Sequence, residues 1–254
     1  MQKTYINGFS LAYDRRGRGT PFVLLHGYPL DHTIWQPVVR LLEERADLIL
    51  PDLRGFGESE TPKDEYTLPE IAADLAALLD HLKIKQVALA GHSMGGYVAL
   101  AFAHAYPERV LGLGLVASQS GADTPEGRKA RYAVVEQVRS EGVKAVADGM
   151  APRLTPNREL QAQLRELILQ QHPEGIVGAL KALAGRPDST PYLADFAFHI
   201  SVVHGLEDNL IPIERARELQ ASVRQGYLVE LKGVGHMPMM EAPRTTAEAL
   251  STLL

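Results

Sequence analysis

Ser93 lies in the stretch AGHSMGGY, residues 90–97, with a glycine two positions before it and another two positions after it. An apolar run, QVALAG, precedes the serine and a helical pattern follows it, so the chain must reverse direction at Ser93. Such a turn holds one residue in a strained backbone conformation at about 1–3 kcal/mol. A β-carbon at Gly91 or Gly95 would collide there, while the serine oxygen stays exposed. The pattern predicts a nucleophile elbow with Ser93 as the nucleophile.

A serine nucleophile needs a base within hydrogen-bond reach and an acid that fixes the tautomer of that base. Elbow folds place these groups along the chain in the order serine, acid, histidine. Three histidines follow the last helical pattern, His199, His204 and His236, and only His236 follows a loop acid after a strand. It lies between glycine and proline in GVGHMPMMEAP, residues 233–243. His236 is therefore the predicted base.

The acid is expected in HGLEDNLIP, residues 204–212, which offers Glu207 and Asp208. We choose Asp208, because its distances from Gly205 and Pro212 place it in the loop after a strand and leave Glu207 as a solvated neighbour. Asp123 is a third and more distant candidate, and a turn-forming role at the start of the next segment suits it better.

Acyl transfer also needs donors for the negative charge that develops on the carbonyl oxygen, typically two backbone N–H groups. Met94 supplies one, and the loop HGYPLD supplies the other through Tyr28, because Pro29 has no N–H. His26 is expected to hold the backbone of this loop. A metal at His26 and His32 is not expected, since no carboxylate partner for them is apparent in the sequence.

The elements that position these residues follow from hydrophobic periodicity. One helix is predicted over residues 68–83, where apolar residues recur at helical spacing and Pro69 suits the first turn. Strands that are apolar throughout and alternate with helices indicate an α/β protein with a parallel sheet covered on both faces. The predicted strands are residues 21–27, 46–52, 86–92, 110–118, 199–205 and 227–233.

A helical insertion interrupts this alternation between residues 121 and 192. Three helical patterns follow one another there without a strand, at residues 127–150, 157–172 and 173–187, between turn-forming stretches. The chain is thus predicted to have a core domain made of residues 1–120 and 193–254 and a helical domain made of residues 121–192.

Five motifs in this order, HGYP, DLRGFGES, GHSMGG, HGLEDNLIP and GVGHMPMMEAP, together resemble the α/β-hydrolase superfamily, in its branch of small capped serine esterases and lactonases. The resemblance implies an eight-stranded, mostly parallel sheet flanked by helices, with a helical cap inserted after the sixth strand. It implies a triad of Ser93, Asp208 and His236, with Tyr28 and Met94 as the oxyanion donors. Asp52 and Arg54 of DLRGFGES are interpreted as architectural.

Two further groups of the superfamily, with other chemistry, resemble the chain around HGYP. Haloalkane dehalogenases and epoxide hydrolases resemble the chain around HGYP but require an aspartate where Ser93 stands. The pair Tyr28 and Pro29 is similar to that of cofactor-free haloperoxidases and perhydrolases, in which hydrogen peroxide replaces water at the acyl enzyme. The alternative interpretation, which we favour, is that Pro29 only stiffens the loop.

The function predicted from the sequence is hydrolysis of a small carboxylic ester or lactone through an acyl enzyme, without a cofactor or metal. A ligand receptor on the same fold and a carbon–carbon bond hydrolase remain alternatives. The residues expected to line the substrate pocket are Pro29, Trp35, Met150 and Met237, and short-to-medium acyl chains or small aromatic esters are the expected substrates.

Composition excludes other classes of protein. The chain has no cysteine, which removes disulfides, thiolate nucleophiles and thiolate zinc sites. A net charge of −5 disfavours nucleic acid and anionic membranes as partners. The start MQK lacks the pattern of a secretory signal, which favours a cytoplasmic location. A monomer and a small homo-oligomer both remain open.

Overall fold

One eight-stranded β-sheet organises the chain in the computed structural model, which describes residues 1–254. Its spatial order is β1-β2-β4-β3-β5-β6-β7-β8. The strands are β1 (Gln2–Ile6), β2 (Phe9–Gly17), β3 (Thr20–Leu25), β4 (Ala46–Pro51), β5 (Val87–His92), β6 (Val110–Val116), β7 (His199–Gly205) and β8 (Gly226–Leu231).

The sheet is mostly parallel, which confirms the predicted fold class. Strand β2 pairs antiparallel with β1 and with β4, and every other pairing is parallel. Asn7 and Gly8 join β1 to β2 with φ values of 47° and 87°, as a tight hairpin turn requires. Every residue of β5 is buried, and β5 lies between β3 and β6. The carboxyl end of β5 therefore lies near the middle of the edge at which the parallel strands end.

The chain has ten α-helices, of which α2 packs on α3 and α1 packs on α10. Helix α2 begins where a capping box forms between Thr67 and Glu70, close to the predicted start. None of the helices combines the length and the apolar run that crossing a membrane requires. The helices are α1 (Gln36–Leu42), α2 (Leu68–His81), α3 (Met94–Ala105), α4 (Pro125–Glu141), α5 (Val143–Leu154), α6 (Arg158–Leu169), α7 (Pro173–Ala184), α8 (Ile213–Ser222), α9 (Pro238–Glu241) and α10 (Pro243–Ser251).

The segment between β6 and β7 contains four α-helices, so the prediction of three was wrong. Gly142 splits the first predicted pattern into α4 and α5, because its φ of 76° lies in the left-handed region and ends the helix. Helix α4 packs against α7, and α5 packs against α6. The predicted strand 110–118 was also too long, since β6 ends at Val116 and Ala117 takes a φ of 45°.

A buried ion pair fixes the loop after β4 to helix α2. Arg54 donates from Nε and Nη2 to the two carboxylate oxygens of Asp74, at 2.6 Å in both cases. Asn7 donates a further hydrogen bond to Asp74, and the Arg54 guanidinium lies 5.0 Å from the ring centroid of Phe9. These contacts give Arg54 the architectural role expected from the sequence.

Replacing Arg54 by methionine should destabilise the fold strongly. The substitution leaves the Asp74 carboxylate buried without its cation, which typically costs about 3 kcal/mol or more. Guanidinium-induced unfolding measures the loss. The matched control is Arg18→Met, which breaks an ion pair with Glu44 whose two side chains are 82% and 80% exposed. Equal unfolding midpoints for the two variants would contradict the role given to Arg54.

Candidate active site

Ser93 occupies the sharp turn between β5 and α3. Its φ of 49° and ψ of −112° lie outside the regions that L-residues normally adopt. The backbone N–H of Ser93 donates to the carbonyl of Val116 at 2.9 Å, and the Ser118 hydroxyl donates to the carbonyl of Ser93 at 3.0 Å. Contacts from β6 and the residues after it therefore hold the strained residue in place.

Glycines around Ser93 allow strand and helix to come into direct backbone contact. A β-carbon on Gly91 would lie 2.2 Å from the carbonyl oxygen of Gly95, and one on Gly95 would lie 2.5 Å from the carbonyl oxygen of Leu25. A β-carbon on Gly96 would lie 2.3 Å from Ser118 Oγ. The collisions expected for Gly91 and Gly95 thus occur against backbone atoms, which have no room to move.

His236 and Asp208 form a buried pair near the elbow. His236 Nδ1 lies 2.6 Å from Asp208 Oδ2, and both side chains are at least 98% buried. Burial alone would raise the pKa of Asp208, but the charge and hydrogen bond of His236 outweigh it, as do the N–H groups of Ile211 and Leu210. The pKa is lowered and Asp208 stays ionised. Glu207 is exposed, as expected of a solvated neighbour.

Ser93 and His236 line the same cavity, which has a volume of 420 Å³. This size falls in the lower part of the range of small-molecule sites, about 300–1,000 Å³. No hydrogen bond joins Ser93 Oγ to the imidazole in this structure. Such bonds are often long without substrate and tighten when it binds.

Two further imidazoles surround this pair and were missed by sequence reasoning. His204 Nε2 lies 2.8 Å from the carbonyl of Ile211 and 3.3 Å from Asp208 Oδ2. His92 Nε2 lies 2.8 Å from the carbonyl of His236. Burial lowers the pKa of both histidines, and His236 lowers that of His92 further. Both side chains are therefore neutral and hold the loops that carry Asp208 and His236. The only sequence signals were the place of His92 inside the GHS motif and the place of His204 at the end of β7.

Two residues beside the cavity have backbone N–H groups without an acceptor in the protein. Met94 and Tyr28 both line the cavity, and neither of their N–H groups donates a hydrogen bond within the protein. A turn closed by the Leu30 N–H and the Gly27 carbonyl, 3.0 Å apart, shapes the loop that carries Tyr28. His26 supports this loop, because its Nε2 accepts from the Leu53 N–H at 2.8 Å and its Nδ1 lies 3.0 Å from the Gly27 carbonyl.

The expectation that no carboxylate lies near His32 was wrong. Asp31 and Asp52 each bring a carboxylate oxygen within 4.8 Å of a ring nitrogen of His32. Asp52 Oδ1 lies 2.7 Å from His32 Nδ1, while Asp31 accepts from Thr33 and from Gln171. Asp31 directly precedes His32 in the chain, whereas Asp52 lies 20 residues from His32 and reaches it only on folding. The oxygens of these carboxylates serve as hydrogen-bond acceptors that join the two loops to the segment before α7.

The pocket prediction is corrected by the structure. Met150 lines the cavity, but Pro29, Trp35 and Met237 do not. Trp35 and Met237 are completely buried in the hydrophobic core, and Pro29 is buried in its loop. Large apolar residues fill the core as well as pockets, so residue type did not distinguish the two locations.

Charged residues in the cavity were also missed. Arg131 and Arg153 line it together with Asp123, which sequence reasoning treated as a turn former. Asp123 binds Arg131 and Arg186. Burial raises the pKa of Asp123, but the two guanidinium groups outweigh it and lower the pKa. Helical spacing gave no signal of these pairings, because Asp123 lies before the start of α4, 8 residues from Arg131 and 63 residues from Arg186.

The family model of the α/β hydrolase fold matches residues 20–243, so the chain belongs to this family. The resemblance stated from the motifs is confirmed. The structure is similar to a thermophilic esterase from Thermogutta terrifontis, solved with malate bound, at 37% identity and a TM-score of 0.94 over 99% of this chain and 97% of that one.

Enol-lactonases are also similar to the chain. The enol-lactonase from Burkholderia xenovorans is 25% identical, with a TM-score of 0.92 and 99% of both chains covered. The 3-oxoadipate enol-lactonase 2 of Acinetobacter baylyi is 27% identical over 228 residues, which are 87% of this chain and 84% of that protein. The protein is a hydrolase of the α/β hydrolase fold.

Adding a methyl group at the elbow should abolish the native packing. Gly91→Ala places a β-carbon 2.2 Å from the backbone of Gly95, and overpacking of this kind costs about 1–3 kcal/mol or more. Gly149→Ala is the matched control, because its β-carbon meets nothing within 4 Å and alanine favours a helix interior by about 1 kcal/mol. In thermal unfolding, the melting temperature should fall for Gly91→Ala and rise for Gly149→Ala. Equal shifts would argue against a close approach at Gly91.

Acidification should weaken the fold between about pH 7 and about pH 5. Burial lowers the pKa of His26, His92 and His204 in the folded state, so below the ordinary histidine value of about 6.5 the unfolded chain binds more protons. Stability then falls by up to about 1.4 kcal/mol per pH unit for each such histidine. His32 acts in the opposite sense, because Asp52 raises its pKa despite burial.

Urea unfolding at several pH values measures this linkage. The decrease should persist at about 0.5 M salt, because burial rather than surface charge causes it. An unfolding free energy that stays constant or rises on acidification would contradict the prediction.

Proposed function

We propose that this hydrolase cleaves small carboxylic esters or lactones through an acyl enzyme formed on Ser93. The observation that carries the proposal is a single cavity lined by Ser93, His236 and two residues with free backbone N–H groups. A buried carboxylate at 2.6 Å from the imidazole supports it, because this is how a triad acid orients its base.

In the first step, Ser93 Oγ attacks the ester carbonyl and His236 Nε2 accepts the serine proton. Asp208 holds Nδ1 and stabilises the imidazolium that forms. The N–H groups of Tyr28 and Met94 donate to the oxyanion, each worth a few kcal/mol in the transition state. The carbon–oxygen bond to the alcohol then breaks, and the alcohol takes the proton from His236.

In the second step, His236 removes a proton from water as the water oxygen attacks the acyl carbon. The bond between this carbon and Ser93 Oγ then breaks, His236 returns the proton to Ser93 Oγ, and the acid leaves. The neutral histidines His92 and His204 support this base by holding its loop and its carboxylate partner. The reaction draws only on groups that the chain itself provides, so we propose that it needs no cofactor or metal.

We further propose that residues 121–192 act as a cap domain over the core formed by residues 1–120 and 193–254. Helices α4, α5 and α7 all contribute to the cavity that Ser93 lines. Closure by such a segment excludes water and strengthens the hydrogen bonds to the oxyanion. The cavity volume of 420 Å³ favours small substrates over long-chain lipids.

The similar proteins agree with this assignment. One is an esterase that was solved with malate, a small carboxylate, and two are enol-lactonases, which open a cyclic ester. A small ester or lactone is therefore the proposed substrate class. A cytoplasmic location is part of the same proposal.

Substitutions in the proposed triad should abolish turnover. Ser93→Ala and Asp208→Asn should each lower kcat by about 10³-fold or more on small nitrophenyl esters, with little change in thermal stability. Glu207→Gln is the matched control, because Glu207 is exposed and should retain full activity. Assays across esters, lactones and thioesters, with and without hydrogen peroxide, separate hydrolysis from perhydrolysis. Ester turnover by Ser93→Ala at the wild-type rate would refute the mechanism.

A further inference from the structure

Asp123, Arg131 and Arg186 form an unbalanced charge cluster at the cavity. Arg131 donates to Asp123 from Nε and Nη2, and Arg186 Nη1 donates to the same carboxylate at 2.5 Å. One carboxylate thus serves two guanidinium groups, and the cluster carries a net positive charge. No other acidic side chain pairs with either arginine.

Arg186 fulfils the structural role in this cluster. Its side chain is 98% buried, its Nε donates to the Gly121 carbonyl at 3.0 Å, and its guanidinium lies 4.4 Å from the ring centroid of Tyr97. Arg186 is sufficient by itself to neutralise Asp123. Neutralising Asp123 therefore does not explain why a second cation, Arg131, lies beside it.

Arg131 faces the cavity and retains unused donors. It lines the same cavity as Ser93 and His236, its side chain is 25% exposed, and its Nη1 takes part in no hydrogen bond. Arg153 also lines the cavity and belongs to no ion pair. The cavity is thus positive in a chain whose net charge is −5. A partly desolvated guanidinium with free donors is stabilised when an anion binds it, and its planar fork matches a carboxylate.

We propose that the cavity selects esters whose acyl part carries a second, free carboxylate, and that Arg131 binds this carboxylate. The proposal rests on the proposed ester hydrolysis at Ser93. The substrates would be half esters of short dicarboxylic acids, with the ester end at Ser93 and the acid end at Arg131. Hydrolysis adds water across the ester bond and yields the dicarboxylate, the alcohol and one proton.

The test compares monomethyl glutarate with dimethyl glutarate, which differ by one methyl group and one charge. Wild-type protein should prefer the half ester by about tenfold in kcat/KM, because a charge-assisted fork bond adds to binding. Arg131→Gln should lower this preference by about tenfold, mainly through KM. Arg131→Lys, which keeps the charge but not the fork, should give an intermediate ratio and serves if the glutamine variant fails to fold.

The matched control is Arg128→Gln. Arg128 lies one turn earlier on α4, is exposed, forms no side-chain hydrogen bond and does not line the cavity. This variant removes the same charge from the same helix and should keep the wild-type preference. Rising salt should raise KM for the half ester more than for the diester.

A binding measurement separates this inference from the proposed function. Calorimetry with Ser93→Ala should detect monomethyl glutarate, and adding Arg131→Gln should weaken binding by about tenfold. If no ester is hydrolysed but this difference holds, the proposed function fails and the anion site stands. If esters are hydrolysed by Ser93 but the half ester is not preferred, or Arg131→Gln changes neither ratio nor binding, the cluster is only structural and the inference is overturned.

Discussion

The absence of side chains at Gly91 and Gly95 is the constraint on which the rest of the site depends. Their backbones touch, which lets α3 start directly above the end of β5 and forces Ser93 to a φ of 49°. The same turn places the Met94 N–H at the first position of a helix, where it has no intrahelical acceptor. The strained backbone of Ser93 and the free N–H of Met94 thus arise from a single packing requirement.

His236 is held near this turn by contacts on several sides of its loop. His92, next to the elbow, binds the His236 carbonyl at 2.8 Å, and the His236 N–H donates to the Leu154 carbonyl at 2.8 Å. Glu241 accepts from the N–H groups of Gly235 and Met237. The imidazole is therefore fixed both from the sheet and from the end of α5, and the helical segment takes part in positioning His236 as well as in lining the cavity.

The sheet and the helical segment contribute different groups to the cavity. The carboxyl ends of the strands hold the groups assigned to bond making, and the segment between β6 and β7 brings Arg131 and Arg153 to the same cavity. Positive charge gathered around one cavity of an acidic chain distinguishes anionic from neutral ligands before any bond is made. Residues on the segment can thus change recognition without disturbing the elbow.

The sequence by itself determined the fold class, the elbow and the order of the polar motifs, because glycine requirements and apolar periodicity are local properties. Only the tertiary structure decided which side chains face the cavity. Trp35 and Met237 lie in the core and Arg131 lies at the cavity. These locations depend on how distant segments pack against one another. The Asp52 carboxylate, 20 residues from His32 in the chain, likewise reaches this histidine only on folding. Burial and ion pairing join residues far apart in the chain, and no local pattern encodes them.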